Sequence, residues 1–541
     1  MKIFRSLIIL CLAVYILSSC QKEKIYPVFE TWKAYDETAL IDSAQQNENQ
    51  RLRYKLIQSK VLDKNELLES IRLQLDDFNE QTYIDLAPYI FEKSISEIQK
   101  SIDNKLLTYK QLTQWYLFRI ATLEPTQSHG LNAIITINPD AVKKAEELDN
   151  TMEKKAHLIY GMPILLKDNI NTKGIKTTAG ALALFENVPN EDAAIVQNLK
   201  KHNAIILGKV SLSEWANFLC QGCPNGYSAV GGQTLNPYGM REFDTGGSSS
   251  GSGASIAANY AVAAVGTETS GSILSPSSQS ALVGLKPTVN KTHQEGIVPI
   301  SSTLDTPGPM SKTVEDNAIL YSAMFDTEPA DLEFGKGNTM NLGVIKDYME
   351  DSLYNRSVQL FRKRGANITF VEPEPMDFTG FLQLLNGDMK IDLKTYLDMY
   401  TSEAVQVESV KDVVAFNLKD TLIRIPYGQA RLDGVVEENL TDVELDSIRQ
   451  KLDKAGKSYF EPYFEEYSLD AILSINNYNA GQAAVAKFPA LTINMGFTKK
   501  GEPKGLTFIG QPNQEALLLK LAKYYEGISQ YRKPPEKFVI Q

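Results

Sequence analysis

Histidine is scarce in this chain. Its 541 residues include four, His129, His157, His202 and His293. None lies in a stretch that looks built for catalysis, so a Ser-His-Asp arrangement has no evident base. Cysteine is equally scarce, with Cys11, Cys20, Cys220 and Cys223. One CxxC pair cannot supply a four-cysteine zinc site, and Cys220-x-x-Cys223 fits either a tight disulfide or two buried thiols. Basic charge is in deficit: the net charge is −11, which disfavours nucleic acid as a partner. The apolar run Leu7–Leu17 is too short to span a bilayer. No internal repeat is visible, and no motif asks for a metal or a cofactor.

What the chain does have is an unusual stretch from Asp244 to Thr288. Two Gly/Ser clusters, GGSSSGSG and TETSGSI, flank the apolar segment ASIAANYAVAAVG. Glycine lets a backbone approach a reacting atom closely, and consecutive turn residues can aim several N–H groups at one point, which suits an anion. A flexible linker would not enclose such an apolar segment and then continue into LVGLKP. A P-loop is excluded, because no Gly-Lys-Ser/Thr follows these glycines. The serines therefore need another base. A lysine can serve if burial lowers its pKa, and Lys167 stands at the end of the strand-like run YGMPILLKDNI. Taken alone, that segment also fits a lysine leaving its strand for solvent.

The three segments GMPILLKDNI, GGSSSGSG and GTETSGSI, the last followed by VGLKPT, resemble in order, spacing and flanks the amidase signature family of serine amide hydrolases. The resemblance covers residues 94 to 530. GKVSLSEWANF, GGQTLNPYG and GIVPISSTLDTPGPM are most similar to the bacterial peptide amidases, which hydrolyse C-terminal peptide amides. It implies Ser272 as nucleophile, Lys167 as base, and Ser248, in a cis peptide linkage with its preceding residue, as the relay between them. It also implies an oxyanion hole made of the backbone N–H groups of Thr269, Ser270, Gly271 and Ser272. The implied chemistry is cleavage of a carboxamide C–N bond through an acyl-enzyme, without cofactor or metal. The expected partner is a small-molecule or peptide amide. Many relatives carry Arg where this chain has Leu274, and that Arg can bind a substrate carboxylate. Leu274 argues instead for a neutral or peptidic substrate. A fatty-acid-amide or aryl-amide hydrolase, and a non-catalytic binding lipoprotein on the same fold, are the alternatives. The tRNA-linked amidotransferase subunits share the motifs, but an exported chain meets no charged tRNA.

Export is read from residues 1–20, MKIFRSLIILCLAVYILSSC. Lys2 and Arg5 precede the short apolar run, as in a signal peptide. Leu17-Ser18-Ser19-Cys20 resembles the bacterial lipoprotein cleavage box, with Cys20 as the lipid-bearing first residue. Residues 1–19 are thus expected to be removed. The mature chain would be anchored in the cell envelope, and Gln21 after the cysteine points to the outer membrane.

Residues 20–92 read as a tether and a helical extension, since NELLESIRLQLDDF has helical spacing of apolar residues. The enzyme domain is expected over 93–541. There HLIYGMPILL, NAIILGKV, MNLGVIK, DAILSI, FPALTINMGF and GLTFIGQP read as strands. They alternate with helical segments such as EDAAIVQNLKKHN and NQEALLLKLAKYYEGI, which is an α/β pattern. From Ser352 to Glu466 helix-like patterns dominate. The resemblance adds a large mixed sheet sandwiched between helical layers.

Overall fold

A computed structural model describes residues 24–151, 155–333 and 339–540. Its centre is one mixed sheet of eleven strands. In chain order these are β1 (Ile134–Ile137), β2 (Pro163–Lys167), β3 (Ile205–Val210), β6 (Ala263–Glu268), β7 (Val283–Lys286), β8 (Thr306–Ser311), β9 (Asn341–Ile345), β10 (Asn367–Val371), β11 (Ala471–Ile475), β12 (Ala490–Phe497) and β13 (Pro503–Ile509). A two-residue pair, β4 (Tyr227–Ser228) and β5 (Gly232–Gln233), lies apart from it. The order across the sheet is β1-β3-β2-β6-β8-β7-β12-β13-β11-β9-β10. The β3-β2-β6 and β11-β9-β10 pairings are parallel, and those from β6 through β13 to β11 are antiparallel.

Side-chain alternation explains the layering. Leu473, Leu491 and Phe508 join one buried cluster with Tyr354, Phe361 and Tyr525, which come from the helices Ser352–Lys363 and Glu515–Ser529. Their neighbours Ile472, Ala490 and Ile509 point into another cluster, with Phe460 and Phe464 of the helix Asp442–Tyr467. Both faces of the sheet are therefore covered, and its inner strands are buried along nearly their whole length, whereas the edge strand β10 is largely unburied. The α/β reading and the helix-covered mixed sheet agree with this architecture.

The sequence reading missed some elements. β8 is TPGPMS, whose two prolines argue against a central strand; yet all six residues are buried and it pairs with β6 and β7. β10 is a sheet-edge strand within the segment read as helical.

Residues 25–92 carry the helices Thr38–Ala44, Lys64–Arg72 and Glu80–Ile90. Leu52, Ile57, Ile71, Leu75 and Ile90 share one hydrophobic cluster with Trp115, Leu165 and Ile206. The backbone is tied in as well: Gln233 donates its N–H to the Ile57 carbonyl at 2.9 Å.

Candidate active site

Lys167 ends β2, the strand held between β3 and β6, and is fully buried. Its Nζ donates to Ser248 Oγ at 2.7 Å, Thr267 Oγ1 at 2.8 Å and the Thr267 carbonyl at 3.1 Å. Burial pushes its pKa down to about 7, against the opposing pull of the Asp305 and Glu268 carboxylates. As an ammonium it fills all three donor positions; once neutral, it has a lone pair to accept the Ser248 proton. The strand end thus delivers a lysine into a dry, hydroxyl-lined site rather than into solvent.

Ser248 lies in the first Gly/Ser cluster, and the Gly247–Ser248 peptide bond is cis. Gly246 has φ +69°, and a Cβ there would stand 2.7 Å from the Pro276 backbone, so only glycine fits. The Ser248 carbonyl accepts the Ser213 N–H at 3.0 Å. The next residue, Ser249, donates its N–H to the Ser272 carbonyl at 3.1 Å, which joins the two clusters directly. Ser249 Oγ also bridges to Thr267, donating to its carbonyl at 3.1 Å and accepting its N–H at 3.2 Å.

Ser272 sits in the loop between β6 and the helix Leu274–Gln279, and is 7% exposed. Glu268 shapes that loop. Its Oε1 accepts the Gly271 N–H at 2.7 Å, and its Oε2 accepts those of Ile273 at 2.7 Å and Leu274 at 2.9 Å. This corrects the expectation of four converging N–H groups, because the Gly271 donor is already held by a buried carboxylate. The N–H groups of Thr269, Ser270 and Ser272 make no hydrogen bond to an acceptor among the described residues. Leu274 is buried in the apolar cluster under the sheet.

Two further features escaped the sequence reading. Thr267, two hydrogen bonds from Lys167, is an inconspicuous strand residue. Asp305, in STLDTPGPM, receives the Thr269 hydroxyl at 2.5 Å and the N–H groups of Ile300 at 2.8 Å and Ser301 at 3.0 Å. Burial raises its pKa to about 6. Asp305 borders a cavity of about 230 Å³ whose wall includes Thr267, Thr269, Asn169 and Tyr396. A second cavity, of about 220 Å³, lies between the N-terminal segment and β1, lined by Trp32, Leu67 and Ile135. None of Lys167, Ser248 and Ser272 borders either cavity; the first adjoins them through Thr267, which accepts from Lys167. Beside Lys167, the buried Asp168 pairs with Lys209 at 3.4 Å. Cys220 and Cys223 are joined as a disulfide and are buried. Cys20 lies outside the described residues.

Residues 111–474 match the protein family described as Amidase. A probable amidase of Arabidopsis thaliana is 33% identical over 483 residues, which is 83% of this chain and 92% of the relative. Mandelamide hydrolase of Pseudomonas putida is 29% identical over 483 residues, covering 81% and 92%. Among solved structures, an amidase family protein of Bacillus anthracis superposes with a TM-score of 0.82 at 34% identity, covering 88% of this chain and 99% of its own. The peptide amidase of Stenotrophomonas maltophilia does so with a TM-score of 0.75 at 32% identity, covering 82% and 98%.

Proposed function

The chain belongs to the amidase family and is an amide hydrolase; on that premise we propose that it cleaves carboxamides through an acyl-enzyme on Ser272, with C-terminal peptide amides as substrates. The observation that carries the mechanism is the hydrogen bond from the buried Lys167 Nζ to Ser248 Oγ. Neutral Lys167 takes the Ser248 proton as Ser248 takes that of Ser272. Ser272 Oγ then adds to the substrate carbonyl. The N–H groups of Thr269, Ser270 and Ser272 stabilise the oxyanion, each donor being worth about 10²–10³-fold in rate. The proton returns through Ser248 to the departing amine, the C–N bond breaks, and water hydrolyses the acyl-Ser272 ester by the same relay in reverse.

Peptide amides are favoured by the likeness to the peptide amidase and by an apolar Leu274 in place of a carboxylate-binding Arg. The likeness to mandelamide hydrolase supports an aryl-amide hydrolase as the second reading. The leader and Cys20 support an exported protein, lipid-anchored in the outer membrane.

The test is a panel of peptide amides, aryl amides and fatty amides, given to protein lacking residues 1–20. Preferential turnover of peptide amides is expected. Preference for an aryl amide would replace the substrate assignment, and no turnover of any amide would overturn the reading. A fluorophosphonate probe should label the parent and not Ser272→Ala. For the anchor, Cys20→Ala should release the protein from membranes; an unlipidated mature N-terminus elsewhere would refute it.

A further inference from the structure

The 230 Å³ cavity beside Thr267 and Thr269 is one-sided in charge. Its wall carries the carboxylates Glu295, Asp305 and Asp392, and no lysine, arginine or histidine. The nearby cations have other direct partners, although the Arg449 charge is felt at Asp392. Arg449 binds Asp388 at 2.6 Å and Asp446 at 2.5 Å, and Lys167 is held by Ser248 and Thr267. Asp392 accepts the Ser302 N–H through Oδ2 at 2.6 Å and is partly exposed to the cavity.

A separate observation also asks for a donor. Asn169 borders the cavity, is 2% exposed, and leaves its Oδ1 without a hydrogen bond. Its orientation is fixed, because Nδ2 faces the Val298 carbonyl at 3.4 Å, a pure acceptor, as well as Thr267 Oγ1 at 3.0 Å. A buried acceptor left unpaired is costly, and a ligand N–H would satisfy it. The uncharged wall mixes polar Gln294, Ser302, Thr306 and Thr395 with apolar surface from Ile297, Val298 and Pro299 and from the stacked rings of Tyr396 and Tyr400, 5.9 Å apart. An aliphatic stem fits such walls, with its charged head among the carboxylates.

We propose that this cavity is a specificity pocket for amides bearing a cationic side chain, an alkylammonium or guanidinium on an aliphatic stem, with Asp392 as its selecting residue. The proposal rests on the amidase reading of the adjoining site. Two carboxylates beyond the structural Asp305, one half-buried and one exposed at the rim, give a cation an advantage of both attraction and steering.

The experiment compares N-acetyl-lysinamide with N-acetyl-norleucinamide, which has a similar stem and no charge, and with the amide of N-acetyl-glutamate. Binding to the Ser272→Ala protein is measured by calorimetry, and kcat/KM is measured on the parent. Lysinamide is expected to bind roughly tenfold tighter than norleucinamide, with the glutamate compound weakest. Asp392→Asn, which keeps an acceptor for Ser302, should shrink the lysinamide-to-norleucinamide ratio by about the same factor. Glu295→Gln, at the exposed rim, should shrink it less. Norleucinamide binding as tightly as lysinamide, or an unchanged ratio in Asp392→Asn, would overturn the pocket. Absence of turnover with every amide would instead sink the amidase reading, while the calorimetry still decides the pocket.

Discussion

Nη1 of Arg51 donates to both the Cys223 carbonyl and Asn225 Oδ1, each at 3.0 Å. Asn225 passes the contact on, its Nδ2 donating to Asp244 Oδ1 at 3.1 Å and Oδ2 at 3.0 Å. Asp244 Oδ1 in turn accepts the Gly246 N–H at 2.8 Å, one peptide short of the Gly247–Ser248 bond. A residue of the N-terminal segment thus reaches the turn that carries Ser248.

That relay predicts a positioning role. Arg51→Ala should lower kcat by about tenfold and leave KM nearly unchanged, because the turn is misplaced while the cavity stays intact. Arg51→Lys should recover part of the loss. Asn225→Asp should be worse, since it sets a carboxylate against Asp244. Steady-state kinetics and a thermal melt on each variant separate this from unfolding. Equal losses in kcat and melting temperature across all three would mean the relay only stabilises the fold.

Glu268 holds three N–H groups with two oxygens. Glu268→Ala leaves those buried donors unpaired, at about 1–3 kcal/mol each. The expected result is a marked fall in melting temperature together with loss of activity. Glu268→Gln should be intermediate, because one oxygen remains and the new amide N–H faces another donor. A Glu268→Ala protein with parental stability and activity would show that the Ser272 loop does not depend on this carboxylate.

Lys167, Ser248 and Ser272 could be proposed from the sequence because three compact motifs, a strand end and two Gly/Ser clusters, occur together in the family's order. The strand end alone also fits a lysine leaving for solvent. The groups that complete the site could not be proposed in this way. Thr267 and Asp305 act through contacts between segments far apart in sequence, and the residue types carry no mark of that. Glu268 was visible inside TETSGSI, but its side chain folds back on its own loop, so an N–H counted from the motif is spent before any substrate arrives. The strands β6 and β8 were hidden for a related reason: their small and proline residues are tolerated only because the neighbouring strands fix them.

The pKa of Lys167 sets the pH response. Burial lowers it from the usual lysine range to about 7. The neutral amine, present above that value, is the form that can accept a proton, so kcat/KM should fall tenfold per pH unit below about 7 and level off above it. Lys167→Ala should remove the activity and the titration together. Lys167→Arg should also be inactive, because a guanidinium stays charged across the range. A parent profile flat between pH 6 and 8, tested at about those limits, would exclude Lys167 as the titrating base.

The last prediction concerns residues 25–92. The family resemblance starts near Ser94, which taken alone predicts that a chain beginning at Ile90 folds by itself. The packing argues for the opposite outcome. Ile57, Ile71 and Leu75 are fully buried, and Leu52 nearly so. Each such side chain contributes roughly 1.5–3 kcal/mol by leaving water, against a net stability of about 5–15 kcal/mol for a typical domain. Removing the segment also uncovers their partners around Trp115 and strips Lys64 Nζ from the Glu124 carbonyl and from Asn132 Oδ1, at 2.8 and 2.9 Å. We therefore expect a chain starting at Ile90 to be insoluble or molten, whereas one starting at Lys24 remains folded and active. Circular dichroism melts and activity on the two proteins decide it. A cooperative melt and near-parental turnover from the shorter chain would show that the core closes without these helices, and that the contact from Arg51 to the Ser248 turn is dispensable.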